Sequence, residues 1–172
     1  MGDATVTVDV PDADAMRRLG ARLAALLRAG DLVLLRGPLG AGKTTLVQGV
    51  GDGLGVRGPV TSPTFIIARH HPSLTGGPPL LHVDAYRLGS WAELEDLDLE
   101  ASLDEAVTVV EWGEGFVEGL APDRLEVGIS RPADHANSVR HADDTPDVRT
   151  VTISAVGPRW RQADLGFVSS SA

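Results

Sequence analysis

The 172-residue sequence contains no cysteine, which removes disulfides, thiolate metal sites and cysteine nucleophiles together. Basic charge is in short supply as well. Fifteen basic residues stand against 24 acidic ones, for a net charge of −9 and an isoelectric point near 4.9. A protein that grips nucleic acid with its own surface needs a basic field, so any nucleic acid is expected to be held by a partner. Lysine is almost missing: 14 of the 15 basic residues are arginine, and the one lysine is Lys43. A chain so biased toward guanidinium has kept an ammonium, a compact point charge on a slim stem, at one place. Long apolar runs are lacking too. Leu32–Leu35 falls far short of the roughly 18 residues of a membrane span. Met1–Val6 has neither a basic n-region nor an apolar h-region, and Val6 breaks the myristoylation pattern. Hydrophobic residues make up 42% of the chain, enough for a packed core. The expectation is one soluble, acidic, cytoplasmic domain over residues 1–165, with no membrane association and a frayed tail at 166–172.

Strand and helix signals alternate along the chain. Thr5–Val10 has the period-two pattern of a half-buried strand. Asp12 then opens a helix with Met16, Leu19, Leu23 and Leu26 or Leu27 on one face, ended by Gly30. LVLLRG, from Leu32, has the form of a buried parallel strand. Thr44–Leu54 reads as the next helix, stopped by Gly53 and Gly55. Residues 58–68 begin as a loop and become a strand, and 70–79 read as a loop rich in proline and glycine. LLHVD (80–84) is a short strand, and Ser90 with Glu93 forms a capping box for a helix through WAELEDL. AVTVVEW (106–112) is a buried strand, followed by a short helix around Glu114–Leu120. LEVGIS and VRTVTISAV form a closing antiparallel pair, joined by a polar, mobile insert at 132–147. The pattern predicts an α/β, three-layer domain with a mixed, mostly parallel sheet ending in antiparallel strands.

Gly37–Thr44 reads GPLGAGKT, a full match to the phosphate-loop pattern G-x-x-x-x-G-K-[ST]. The glycines let the backbone curl so that successive N–H groups face phosphate oxygens, and the following helix presents its positive end. Lys43 is placed to bridge the outer phosphates and the Thr44 hydroxyl to ligate Mg²⁺. Chance would give such a match in about one in six hundred chains of this composition, and the flanking strand and helix make it rarer. Guanine-specific loops need a further lysine. With Lys43 committed none is left, so ATP is the expected nucleotide.

Such a site needs an acid at the end of a neighbouring strand. Asp84 closes LLHVD and Glu111 closes AVTVVE, both at the carboxyl edge where ligands bind in open α/β sheets. The acids between Glu93 and Glu105 read instead as a solvated helical face. Thr61, Ser62, Pro63 and Thr64 form a hydroxyl-rich loop that either leads into a strand or senses a γ-phosphate. Tyr86 and Arg87 are candidates for a second switch or for ordinary core and surface positions. Trp112 is a platform or core. His70, His71, His135 and His141 have no metal-like spacing and read as surface.

Taken in order, GPLGAGKTT, TSPTF, HVDAYRL and VEWGE resemble the TsaE family, small ATPases of bacterial tRNA threonylcarbamoyladenosine (t6A) modification. The resemblance covers about residues 5–130 and the closing strands. It implies a P-loop fold with a seven-stranded mixed sheet and weak Mg²⁺-dependent ATPase activity. It also implies action with the TsaB–TsaD heterodimer, which installs the threonylcarbamoyl group on adenosine 37, so that tRNA is met only through the complex. By position it implies that Gly37 and Gly40, Ala41, Gly42, Lys43, Thr44 and Thr45 hold the phosphates. Thr44 and Glu111 would ligate Mg²⁺, with Asp84 the strand-end acid near the γ-phosphate. Thr61–Phe65, including Phe65, would be one switch and Asp84–Leu88 the other, and Trp112 is the tryptophan paired with the acidic ligand. Ala85 and Met16 depart from the usual leucine and threonine, and the 132–147 insert is long. Two other classes compete. A small-molecule kinase would need an arginine-rich lid, and the arginines here are dispersed. A nucleotide-gated binding module would need no strong general base, and none is obvious.

Overall fold

The computed structural model describes residues 4–60, 68–85, 102–112, 119, 121–131 and 148–169. The strands are β1 (Thr5–Val10), β2 (Leu32–Arg36), β3 (Ala68–His71), β4 (Leu80–Asp84), β5 (Val107–Glu111), β6 (Arg124–Ser130) and β7 (Arg149–Val156). The main helices are α1 (Ala13–Ala24) and α2 (Lys43–Leu54), and a short α3 spans Gly166–Ser169. All seven strands form one sheet in the order β1-β7-β6-β2-β5-β4-β3. This is the α/β class expected, with one correction. The sheet is mixed but not mostly parallel: β2–β5, β2–β6 and β4–β5 are parallel, while β1–β7, β6–β7 and β3–β4 are antiparallel. Parallel pairing is confined to the centre of the sheet, from β6 through β2 and β5 to β4. Towards both margins the pairing is antiparallel, β6–β7–β1 on one side and β4–β3 on the other.

Burial follows that division. β5 is buried along its length and β2 at all but Arg36, whereas β6 alternates and β1 nearly does. Val33, Leu35, Val107, Val109 and Leu80 join the larger core under α1 and α2. Leu32, Leu34, Leu81, Val83 and Val110 alternate to the opposite face, where Leu103 and Ala121 pack on them. The helices expected to cover that face, through WAELEDL and around Glu114–Leu120, lie outside the described residues, as does the 132–147 insert.

α1 begins as its sequence dictates, with Asp12 as N-cap accepting from the Ala15 N–H at 2.7 Å. It stops at Ala24, before the expected Gly30, though Leu27 continues its apolar stripe into the core. α1 and α2 meet at backbone distance through Gly20 and Gly49, where a Cβ would run into the facing helix's main chain. This contact fixes the seating of α2 against α1.

Three other expectations are corrected. β3 starts at Ala68 and includes His70 and His71, which had read as loop, because antiparallel pairing with β4 holds them extended. His71 is buried rather than at the surface. Gly166–Ser169 is helix, not frayed tail: Leu165 and Val168 are buried in the main core.

Candidate nucleotide site

The loop between β2 and α2 holds the phosphate-binding pattern in the strand–loop–helix setting that the chemistry needs. Gly40 (φ +76°) and Gly42 (φ +109°) take left-handed backbone that a side chain would oppose. Gly42 is also the N-cap of α2, and no side chain caps that end. The first N–H groups of a helix are where an anion binds. Met16 of α1 is buried against the loop, with its Cε 3.4 Å from where a Cβ on Gly42 would sit.

Lys43, the first residue of α2, is buried and donates from Nζ to the Gly37 carbonyl at 2.7 Å. The same ammonium lies 3.8 Å from the centroid of the Trp112 ring, a cation–π contact. Trp112 has φ +59°, the left-handed region, and is the described non-glycine residue with positive φ. Bulky residues are costly there. The strained backbone turns the chain immediately after Glu111 and carries the ring to the lysine. Thr44 and Thr45, half-buried, follow on the first turn of α2.

The two carboxylates meet as neighbours. Asp84 and Glu111 are register partners at the ends of β4 and β5, and Glu111 is also in register with Leu35 of β2. Alternation from Leu80 and from Val107 and Val109 puts both on the face that α2 covers. Glu111 is not a solvated strand-end acid: it is 4% exposed, and its Oε2 accepts from Nε2 of His82 at 2.6 Å. His82 is fully buried, and sequence reading missed it. The motif HVDAYRL opens on His82, but nothing local marks it as the partner of Glu111 until the strand beside it is known.

Two arginines were missed for the same reason. Arg131, just past β6, donates to the Gly40 carbonyl, and Arg149, opening β7, donates to the Ala41 carbonyl at 3.1 Å. They come from 91 and 108 residues downstream and grip the loop from outside. Thr61, Ser62, Pro63, Thr64, Phe65, Tyr86 and Arg87 lie outside the described residues.

Hard oxygen donors, Thr44 and the two carboxylates, suit Mg²⁺. Among the described residues no group of three His, Asp or Glu side chains could hold a metal alone. Mg²⁺ bound with a nucleotide takes only one or two carboxylates, its other ligands being phosphates and water. The residues therefore fit the ion. Also among the described residues, no helix is long and apolar enough to cross a membrane.

Sheet order, loop and strand-end acids together define a P-loop NTPase-like domain. The family model described as threonylcarbamoyl adenosine biosynthesis protein TsaE matches residues 10–140. Among curated proteins, the Streptomyces coelicolor tRNA threonylcarbamoyladenosine biosynthesis protein TsaE is 60% identical over 155 residues, covering 90% of this chain and 99% of the relative. The Bacillus subtilis protein of the same name is 37% identical, with 90% and 86% covered. The crystal structure of Bacillus subtilis YdiB superposes with a TM-score of 0.68 at 30% identity, over 93% of this chain and 91% of that one. The chain belongs to the TsaE family of t6A biosynthesis proteins.

Proposed function

We propose that the chain is the ATP-binding and ATP-hydrolysing component of the tRNA t6A37 modification system, a weak Mg²⁺-dependent ATPase stimulated by the TsaB–TsaD heterodimer in the cytoplasm. The observation that carries this reading is the convergence of the uncapped α2 start, Lys43 and the paired Asp84 and Glu111 on one edge of the sheet. In this reading the N–H groups of Gly40–Thr45 cradle the phosphates. The Lys43 ammonium exchanges the Gly37 carbonyl for phosphate oxygens, a stronger, charge-assisted partner. Thr44 and Glu111, with Asp84, hold Mg²⁺. That ion, when bound, neutralises phosphate charge and polarises the transferred phosphoryl group. ATP orders Thr61–Phe65 and Asp84–Leu88 into a partner-binding surface, and hydrolysis releases it. The net charge of −9 supports leaving the tRNA to the partners.

The test is ATP turnover by the purified protein, alone and with TsaB and TsaD, beside Lys43→Ala. The expected result is turnover that rises with the partners and is lost in the variant. Turnover indifferent to partners, or phosphate appearing on an added metabolite, would overturn the reading. Partner affinity that is equal with ATP, ADP and no nucleotide would remove the switch, since a ligand without differential affinity shifts nothing.

A further inference from the structure

β4 carries two polar side chains on the face that α2 covers, Asp84 at its end and His82 two residues before it. His82 is completely buried, and its ring does one thing there: Nε2–H donates to Glu111 Oε2 at 2.6 Å. Its other nitrogen, Nδ1, is buried without a hydrogen-bond partner. A buried imidazole with half its capacity unmet is costly relative to an apolar side chain of the same size. Packing alone therefore gives no reason for a histidine in the apolar run LLHVD. The bond to Glu111 does. A glutamate has three side-chain torsions to fix, and a buried carboxylate without a donor is destabilised.

We propose that His82 is a positioning residue: it locks the Glu111 carboxylate through Oε2, leaving Oε1 to be presented to Mg²⁺ as ATP carries the ion in. This rests on the reading of Glu111 as a metal carboxylate. It is the outer-shell arrangement of many metal sites, in which a second residue fixes the rotamer of the first and its loss lowers metal affinity by about 10–100-fold. Here the Nε2–H is the donor that serves. A guanidinium or ammonium at this position would bring positive charge against the metal.

The experiment is equilibrium binding of a fluorescent methylanthraniloyl-ATP, measured across a Mg²⁺ titration and in EDTA, with circular dichroism to establish folding. Four variants are compared with the parent chain: His82→Leu, His82→Asn, His82→Gln and Glu111→Gln. His82→Leu and His82→Asn should leave the affinity in EDTA within about twofold while raising the Mg²⁺ concentration for half-maximal effect by about tenfold. His82→Gln should recover most of that loss, because the glutamine amide reaches the place of Nε2 and the asparagine amide ends short of it. If His82→Leu fails to fold, the contrast between Asn and Gln decides. A Mg²⁺ dependence that moves in Glu111→Gln but in none of the His82 variants overturns the positioning role. One that fails to move even in Glu111→Gln overturns the metal reading beneath it.

Discussion

Gly49→Ala sets two effects of opposite sign against each other, and the structure decides between them. Gly49 lies inside α2 with ordinary helical backbone, so alanine gains about 1 kcal/mol of helix propensity over glycine. The added Cβ, however, would overlap the Arg17 carbonyl oxygen and come within 2.8 Å of the Arg17 carbonyl carbon and 3.0 Å of its Cα. Relaxed carbon–carbon contacts need about 3.5–4.0 Å, and the obstacle is backbone, which has no rotamer to escape into. α1 would have to withdraw along a stripe that buries Met16, Leu19, Leu23 and Ala24. Overpacking of this kind costs about 1–3 kcal/mol. With backbone as the obstacle the upper end applies, and a net loss of about 2 kcal/mol remains after the propensity gain. For a domain of this size that lowers Tm by about 4–8 °C. Gly51→Ala is the internal control. It has the same helix and the same propensity gain, but its Cβ meets side-chain methyls rather than main chain, Val60 at 2.9 Å, Val56 at 3.3 Å and Leu80 at 3.7 Å, so it should lose clearly less stability than Gly49→Ala. The assay is urea unfolding and a thermal scan of parent, Gly49→Ala and Gly51→Ala. Gly49→Ala as stable as Gly51→Ala would refute the claim that the two helices touch at main-chain distance.

Two further outcomes concern groups away from the phosphate loop. Asp31 is 5% exposed and receives the Arg159 guanidinium on both oxygens, at 3.1 and 2.9 Å. Asp31→Ala leaves that guanidinium with the Leu26 carbonyl and the Trp160 face but without its carboxylate, and should cost about 3 kcal/mol, seen as a Tm drop of about 6–12 °C; Asp31→Leu with Arg159→Met should regain much of it, and equal losses in both would sink the argument. His71 donates from Nδ1 to the Arg57 carbonyl at 3.2 Å, and burial holds its pKa below the ordinary 6.5. Protonation then favours the unfolded chain, so the stability of the neutral ring is present above pH 6.5 and is lost as pH falls through the folded-state value. His71→Gln should flatten the decline in denaturation midpoint between about pH 7 and pH 5, and a slope identical to the parent's would show that other groups carry it.

What the sequence displayed was whatever is periodic or local. β2, β5, β6 and β7 stand out because buried runs and strict alternation are properties of the segment itself. The N-cap of α1 and the GPLGAGKT loop likewise depend only on neighbours within a few residues. Elements made by partners were illegible. His70 and His71 are strand because β4 lies beside them, and Val168 is buried because a four-residue helix finds α1 and β1. Even the proportion of parallel pairing was misjudged, since alternating strand and helix signals say nothing of where the chain doubles back.

The same division runs through the candidate site. Lys43 and Thr44 are legible because the loop pattern fixes them, and Asp84 and Glu111 because each ends an apolar run. His82, Arg131 and Arg149 join them only through register and long-range closure. Their chemistry also explains why arginine and lysine are divided as they are. In the proposed function the loop's N–H groups turn to an anion, while the carbonyls of Gly40 and Ala41 are taken by guanidiniums arriving from the ends of β6 and β7. A planar fork of donors suits that outer task, because it can hold a carbonyl while its remaining donors stay solvated or paired. The inner position is different. In the proposed function an ammonium there leaves Gly37 and the Trp112 face and meets phosphate oxygens as a point charge. Fourteen arginines are spread along the chain, and its one lysine stands at the start of α2.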